Sequence, residues 1–309
     1  MDEKNPCNIC PRRCNVSRDG RVGFCGVPAE IHVSRVSLHK WEEPPVSGKN
    51  GSGTIFFTGC NLRCVFCQNK RISGSSDLLS GAVSMTPEEL CDAMLRLQDE
   101  GAHNVNLVTP THYSEGIIKA LQIAKPRLSI PVVYNSSGYE SVDTLKRLSG
   151  LVDVYLPDLK YFSSELSAKY SGAADYFEVA SRALTEMLSQ VGEAMFEDGL
   201  IKRGVIVRHL VLPGCRKDSI KVLEALSELM PTDKIKLSLM RQFTPDFVDK
   251  DRYPELRRRV TTFEYDSVVR RAGELGFDGY IQSAESATSE YTPSFNCAEA
   301  FLIEKQRVL

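Results

Sequence analysis

Residues 59–69 constrain the fold of this chain more than any other segment. They read Gly-Cys-Asn-Leu-Arg-Cys-Val-Phe-Cys-Gln-Asn and place Cys60, Cys64 and Cys67 in a C-x3-C-x2-C spacing. The apolar run 54–58 that precedes them predicts a buried strand, so the three thiols belong to the loop at its carboxyl end. Thiolates bind soft metals, and a four-iron cluster normally takes four of them. Three thiols on one loop therefore predict a cluster with one iron open to a ligand from outside the protein.

This loop resembles that of the radical S-adenosylmethionine (SAM) enzymes, and more narrowly that of the homologues of pyruvate formate-lyase activating enzyme. The resemblance implies a 4Fe-4S cluster on the three cysteines, with SAM chelating the open iron. It also implies reductive cleavage of SAM to a 5'-deoxyadenosyl radical that abstracts hydrogen from a substrate. By the same resemblance Phe66 lies near the adenine, and Gln68-Asn69 suits the activating-enzyme branch, which makes Asn69 a candidate cofactor contact. The alternatives are a zinc knuckle and three buried free thiols, but a zinc knuckle usually pairs C-x2-C with a second such pair, and none follows this loop.

A second group of cysteines, Cys7, Cys10, Cys14 and Cys25, stands near the start of the chain. The glycines and proline beside these thiols permit the tight turns that metal knuckles require. Zinc and an auxiliary iron-sulfur cluster both fit four thiols, and the spacing does not choose between them. We expect a structural role for this second metal site, because about twenty-five residues cannot build a core unaided. A similar cysteine-rich opening occurs in a branch of the activating-enzyme homologues.

Three cysteines are left over. Cys91 lies in a helical pattern and is expected to be a small buried hydrophobic residue. Cys215 follows Pro213-Gly214 at a strand end and is a weaker functional candidate, while Cys297 in the C-terminal tail allows no interpretation.

Strands and helices alternate from residue 53 onward. A helix is predicted from Thr86, which can form a capping box with Glu89, through Pro87 at the first helical position, to a stop at Gly101. The predicted strands are 55–58, 105–109, 132–135, 152–156, 205–212 and 235–240, with 279–282 as a late addition. Repeated βα units imply a parallel sheet, and a doubly wound sheet is the alternative from periodicity alone. The cysteine loop favours an α/β fold of the partial (β/α)6 radical SAM barrel type, with a small N-terminal cysteine-rich metal-binding segment.

This fold divides the chain into a cysteine-rich segment 1–50, a barrel 51–290 and a tail 291–309. Residues 161–203 are longer than one crossover helix requires, so a second helix is predicted there. This span is a candidate lid or docking surface, with structural filler as the alternative.

Ligands of parallel α/β folds bind at the carboxyl ends of the strands, so polar residues at those ends are candidate contacts. At the second strand, related enzymes often carry Gly-Gly-Glu to bind the SAM amino group. This sequence has residues 109–112, Thr-Pro-Thr-His, and the Thr109 carbonyl or hydroxyl could replace that contact, while His112 is a weak candidate for touching substrate or a plain loop residue. The third strand runs into a segment that lies against the ribose in the activating enzymes, where Asn135 replaces an acid and Ser137 adds a hydroxyl.

The later strands add charged candidates. Asp158 and Lys160 match the Asp-x-Lys of the activating enzymes, in which lysine suits the SAM carboxylate and aspartate suits a hydroxyl or a small cation. A surface ion pair is the alternative. On the fifth strand only one of Arg208 and His209 can face inward, because neighbours on a strand alternate faces. Gln242 follows the sixth strand, where relatives often hold a polar SAM contact.

Composition supports an enzyme of the cytoplasm. The 309 residues are 42% hydrophobic and 25% charged, with a net charge of −2, which gives no case for nucleic acid or membrane partners. The start lacks the apolar core of a signal peptide. By resemblance, the partners are a one-electron donor such as flavodoxin or ferredoxin and a glycyl-radical protein activated by hydrogen abstraction. The alternatives are radical modification of a small molecule or peptide, and a non-catalytic iron-sulfur or zinc scaffold.

Overall fold

The computed structural model describes residues 6–19, 21–74, 76–283 and 295 of the chain. Cys297 and, apart from Phe295, the predicted tail 291–309 lie outside the described residues. None of the helices described is both long and apolar enough to cross a membrane.

The described residues form one ten-stranded sheet in which seven strands run parallel. The strands are β1 Ile31–His39, β2 Ser52–Phe57, β3 Val83–Met85, β4 Val105–Val108, β5 Val132–Ser136, β6 Val154–Pro157, β7 Met195–Glu197, β8 Leu200–Leu210, β9 Lys236–Met240 and β10 Gly279–Ile281. The parallel strands follow the order β10-β9-β8-β6-β5-β4-β2. The antiparallel strands β1 and β3 extend the sheet beyond β2, and β7 forms a hairpin with the start of β8.

Nine helices connect the strands in the part of the chain that is described. They are α1 Pro44–Ser47, α2 Lys70–Ser73, α3 Pro87–Asp99, α4 Ser114–Ala124, α5 Val142–Leu148, α6 Ser164–Ser171, α7 Tyr176–Val191, α8 Arg216–Leu229 and α9 Thr262–Glu274. The capping box predicted for α3 is confirmed: the Glu89 N–H donates to Thr86 Oγ1 at 3.2 Å, and the Thr86 N–H donates to Glu89 Oε2 at 2.9 Å.

The predicted α/β fold is confirmed, with all six predicted strands and the late seventh strand in one mostly parallel sheet. Sequence reasoning did not predict β1, β3 or β7. The apolar residues of β1 alternate imperfectly, and its pairing with β2 contains an irregularity between Val33 and Arg35. Residues 31–39, which belong to the segment 1–50, therefore contribute a strand to the sheet.

The two faces of the parallel strands build two cores. Alternate residues such as Val132, Tyr134 and Tyr155 face the helices and join the main core. The intervening strand residues face inward and belong to a smaller core, together with a residue of α1. Its members are Val46, Val133, Val154, Leu156, Ile201 and Ile206. Since Val46 lies on α1, this short helix closes the interior at the amino ends of the strands. At the carboxyl ends of the strands, polar residues line a cavity instead.

The N-terminal segment packs against the loop that follows β2. The Arg12 Nε donates to the Asn61 carbonyl at 2.8 Å, and its guanidinium lies 3.8 Å from the centre of the Phe24 ring. Arg63 in turn donates to the Phe24 carbonyl. Arg18 is buried and donates to the carbonyls of His112 and Pro28, which ties the same segment to the loop after β4.

Candidate functional site

A cavity of about 240 Å³ opens at the carboxyl ends of the parallel strands. It is lined by all twelve residues predicted for the cluster and SAM: Cys60, Phe66, Cys64, Cys67, Asn69, Thr109, Asn135, Ser137, Asp158, Lys160, Arg208 and Gln242. They come from six different strand ends, so the fold alone brings them together. Their individual roles toward the cofactors stay predictions.

The three thiols of the loop have polar neighbours. Cys64 Sγ lies 3.0 Å from Ser171 Oγ, Cys67 Sγ lies 3.3 Å from Ser73 Oγ, and Cys60 Sγ accepts from the Leu62 N–H at 3.4 Å. Burial raises the pKa of Cys60 to about 12 and also raises that of Cys67. A bound metal reverses this effect because its charge deprotonates a coordinating thiol.

The end of α6 holds the cysteine loop in place. The N–H of Val65 donates to the Tyr170 carbonyl at 2.9 Å, and that of Arg63 donates to the Ser171 carbonyl at 3.1 Å. The last carbonyls of a helix lack partners within the helix, so the loop satisfies them. The second helix predicted in residues 161–203 is thus confirmed, and α6 supports the loop.

The three thiols of the cysteine loop suit an iron-sulfur cluster. Each cysteine of a cubane cluster ligates a different iron, so three thiols would hold three irons and leave the fourth for another ligand. Among the described residues, no three Cys, His, Asp or Glu side chains are arranged to hold one metal ion.

The predicted second metal site is not shown. Cys10 is buried, which raises its pKa to about 12, and the nearby thiols of Cys7 and Cys14 add to the rise. Cys14 Sγ accepts from the Phe24 N–H at 3.3 Å. Metal binding by these residues together with Cys25 therefore stays a prediction.

A chain of largely buried charged side chains lines the cavity. Asp158 pairs with Lys160 through one carboxylate oxygen and with Arg208 Nε at 2.9 Å through the other. Arg208 also donates to Asn135 Oδ1 at 2.6 Å and lies 3.5 Å from Glu42 Oε2. Burial raises the pKa of Asp158, but the charges of Arg208 and Lys160 outweigh it and hold that pKa below its ordinary value. The ion pair that was the alternative for Asp158 and Lys160 is present, but it lines the cavity and does not lie on the surface.

Backbone strain marks two of the loops. Thr109 has a φ of 59°, a left-handed conformation that is unusual for a β-branched residue. Gly138 has a φ of 75°, and a Cβ there would lie 2.1 Å from the Asp158 carbonyl oxygen. The Tyr176 hydroxyl lies 2.8 Å from the carbonyl oxygens of both Ser137 and Asp158. The loops after β5 and β6 therefore approach each other too closely for any residue but glycine at position 138.

Four residues considered from the sequence lie away from the cavity: His112, His209, Cys91 and Cys215. His112 is 1% exposed, and its Nε2 lies 2.7 Å from the Thr58 carbonyl oxygen, so it must donate there. Burial lowers its pKa to about 3, which keeps it neutral, and a substrate contact is not supported. His209 donates to the Leu159 carbonyl at 2.7 Å on the outer face, so Arg208 is the inward residue of the pair. Cys91 is buried as expected, and Cys215 packs against the main core.

Sequence reasoning missed several residues at the site. Glu42 and Trp41 line the cavity and come from the turn after β1. Asn61, between two of the cysteines, is fully buried and donates to the Tyr139 carbonyl at 2.7 Å. The turn after β1 has a recognisable sequence, a tryptophan followed by two glutamates. Because β1 was not predicted, nothing in the sequence placed this turn near the ends of the parallel strands.

Comparison with known proteins finds a matching protein family and two similar proteins. A family model described as the radical SAM superfamily matches residues 54–232. The uncharacterized protein MJ0674 of Methanocaldococcus jannaschii is 32% identical over 280 residues, which cover 88% of this chain and 75% of that protein. The uncharacterized protein MJ0808 of the same organism is 26% identical over 225 residues, which cover 69% of this chain and 62% of that protein.

Solved structures share the fold. Streptococcus suis SuiB bound to the precursor peptide SuiA is 12% identical with a TM-score of 0.51, over 72% of this chain and 46% of that one. A cysteine-to-alanine mutant of spore photoproduct lyase is 12% identical with a TM-score of 0.51, over 81% of this chain and 79% of that one.

Proposed function

The chain belongs to the radical SAM superfamily, whose members are enzymes, and from this we propose that it cleaves SAM reductively at a 4Fe-4S cluster on Cys60, Cys64 and Cys67. One electron and SAM would give methionine and a 5'-deoxyadenosyl radical, which would take a hydrogen atom from a substrate and leave 5'-deoxyadenosine and a substrate radical. This proposal rests on one observation: the three thiols and the polar strand ends line the same cavity.

The chain's own residues would bind and orient SAM. Lys160 uses one of its three N–H donors for Asp158 and keeps two for a carboxylate. Asn135 and Ser137 present amide and hydroxyl groups suited to a ribose, and Phe66 presents an apolar ring beside them. The buried Arg208 would fix the position of Asp158, and hence of Lys160.

We propose that a small one-electron donor such as flavodoxin or ferredoxin supplies the electron beside Cys64. A groove of about 210 Å³ there is lined by Cys64 and by three basic residues and one acidic residue, Arg63, Lys70, Arg252 and Asp249. Basic side chains at this place favour an acidic partner surface and faster association. The nine described cysteines are all free, which suits the reducing cytoplasm.

The leading candidate substrate is a glycine of a glycyl-radical protein, and the Asp158-x-Lys160 resemblance to the activating enzymes supports it. Direct modification of a small molecule or peptide is the second candidate. A further cavity of about 420 Å³ adjoins the first, and Glu43, Ser238 and Gln282 line it. A polar chamber of this size favours a compact substrate group.

Product analysis tests the proposed reaction. The reconstituted, reduced protein should convert SAM to 5'-deoxyadenosine and methionine, as measured by chromatography. Cys64→Ala should abolish this conversion, whereas Cys91→Ala, which removes a buried thiol of α3, should keep it. Absence of 5'-deoxyadenosine from the cluster-loaded wild type would favour the scaffold alternative.

Electron paramagnetic resonance separates the two substrate candidates. A stable organic radical on an added glycyl-radical protein, dependent on SAM and reductant, would support activation. A modified small molecule or peptide, with no stable protein radical, would support direct modification instead.

A further inference from the structure

Glu43 carries a buried carboxylate oxygen without a partner. It lies in the turn between β1 and α1, and only 9% of its surface is exposed. The charge of Arg208 and the side chain of Ser238 favour the ionised form of the carboxyl group, yet Glu43 Oε2 has no hydrogen-bond partner among the described residues. A buried carboxylate is costly unless it is paired, so this atom indicates a missing partner.

Glu43 lies beside the cavity that contains the predicted cluster site. The 420 Å³ cavity that it lines shares Trp41, Glu42, Arg208 and Gln242 with the 240 Å³ cavity lined by the cysteines. The two cavities therefore adjoin each other, and Glu43 lines the one that lacks the cysteines. A molecule in the second cavity would lie next to SAM in the first.

The cations of the site are already bound to other carboxylates. Arg208 contacts Asp158, Asn135 and Glu42, and Lys160 pairs with Asp158. Three carboxylates, Glu42, Glu43 and Asp158, thus face two cations. Glu43 is the carboxylate of this group with an unpaired oxygen in the described structure. Burial raises the pKa of both glutamates, so a proton on one of them balances these charges when no ligand is bound, and a bound cation would replace that proton.

We infer that Glu43 recognises the substrate by binding a positively charged group, an ammonium or a guanidinium, in the second cavity. The inference rests on the proposed function, because it takes this cavity to be the substrate chamber. Charge-assisted hydrogen bonds to such a group would satisfy the unpaired oxygen. Trp41, the only tryptophan of the chain, lines the same cavity. Burial raises the pKa of Glu43 despite the charge of Arg208, and a bound cation would restore its ionised form.

A pair of isosteric probes tests this inference. Butylguanidinium and butylurea differ mainly in charge, and saturation-transfer NMR can measure their affinities for the cluster-loaded protein with SAM. We expect the wild type to prefer butylguanidinium by about tenfold or more, the range for a hydrogen bond between charged groups. Glu43→Gln should lose this preference. Glu228→Gln, which removes an exposed carboxylate from the outer side of α8, should keep it.

Two further measurements control for folding. Glu43→Gln should melt at or above the wild-type temperature without ligand, because it removes an unpaired buried carboxylate. Glu43→Asp keeps the charge but shortens the side chain, so a reduced preference for butylguanidinium should remain. Equal affinity of the wild type for both probes, no binding of either, or an unchanged preference in Glu43→Gln would overturn the inference.

The outcome is separable from that of the proposed function. A protein that cleaves SAM but shows no preference between the probes would refute the role of Glu43 alone. A protein that prefers butylguanidinium through Glu43 but yields no 5'-deoxyadenosine would refute the proposed reaction, and the cation site itself would stand.

Discussion

Arg208 organises the candidate site more than any other single residue. It lies on β8 with 14% of its side chain exposed, and it joins Glu42, Asn135 and Asp158, which come from three other parts of the chain. Its neighbour His209 faces the opposite side and is neutral. Removal of one partner from a buried charge network is more damaging than loss of a surface pair, because charges are left without compensation.

Replacement of Arg208 should therefore destabilise the protein strongly. We expect Arg208→Met to lower the free energy of unfolding by about 3–5 kcal/mol, since Glu42 and Asp158 would stay buried without their shared cation. Denaturant unfolding measures this change. Arg147→Met is the matched control: it breaks a half-exposed pair with Glu115 and should cost at most about 1 kcal/mol. Similar losses in the two variants would show that the network around Arg208 contributes little.

Glu140 gives the protein a predictable dependence of stability on pH. It is 2% exposed and accepts hydrogen bonds from Thr111 and Tyr134, with no cation among its partners. Burial raises its pKa from 4.5 to about 7, although the hydroxyl groups around it lower it. The folded state thus holds this proton more tightly than the unfolded state. The stability it contributes is present below pH 4.5 and is lost as the pH rises through about 7.

Glu140→Gln should remove this dependence. The pKa shift from 4.5 to about 7 corresponds to about 3 kcal/mol. The free energy of unfolding of the variant should therefore rise by roughly that much relative to wild type as the pH changes from acidic to alkaline. Unfolding curves at about pH 5 and about pH 8 give the difference. Glu228→Gln, at an exposed position, should show no such trend. A constant difference between Glu140→Gln and wild type across this range would contradict the raised pKa.

At the scale of elements, the cysteine loop is supported from two sides. The end of α6 accepts hydrogen bonds from the N–H groups of Arg63 and Val65, and the N-terminal segment contacts Asn61 through Arg12. Arg12 also donates to the Gly172 carbonyl at 2.7 Å, which links the two supports. The N-terminal segment is therefore packed against the cysteine loop, and a metal bound within the segment would stabilise that loop.

Cys10→Ala tests the predicted N-terminal metal. We expect the variant to lose one zinc, or the iron of one cluster, from the metal content of the purified protein, and to melt at a lower temperature. The rate of SAM cleavage should fall less than the stability, because the first cluster keeps its three cysteines. Cys91→Ala removes a buried thiol without touching this segment and should retain all metal. An unchanged metal content in Cys10→Ala would refute the second site.

For the whole molecule, local sequence patterns predicted the parallel strands because each is a short apolar run followed by a polar end. The same rule placed Thr109, Asn135, Asp158 and Lys160 at one edge of the sheet, where the structure finds them. Glu42 could not be found in this way. It meets Arg208, far along the chain, only because α1 enters the barrel interior and β1 pairs with β2 in the antiparallel direction.

The antiparallel edge depends on contacts between distant segments, which a local pattern does not contain. β1 has mixed burial along its length, and its apolar residues follow no clean alternation. The unpaired oxygen of Glu43 could not be predicted from the sequence for the same reason. Residues of β9 and β10, far along the chain, line the same cavity as Glu43.

Electron paramagnetic resonance of the reduced protein, titrated with SAM, tests most directly whether the three cysteines leave one iron open to this ligand. SAM should change the spectrum of the reduced cluster in the wild type. Lys160→Met should require more SAM for the same change, because a carboxylate contact is lost, and Cys64→Ala should show no SAM-dependent signal. A wild-type cluster whose spectrum is unaffected by saturating SAM would contradict an open iron in this cavity.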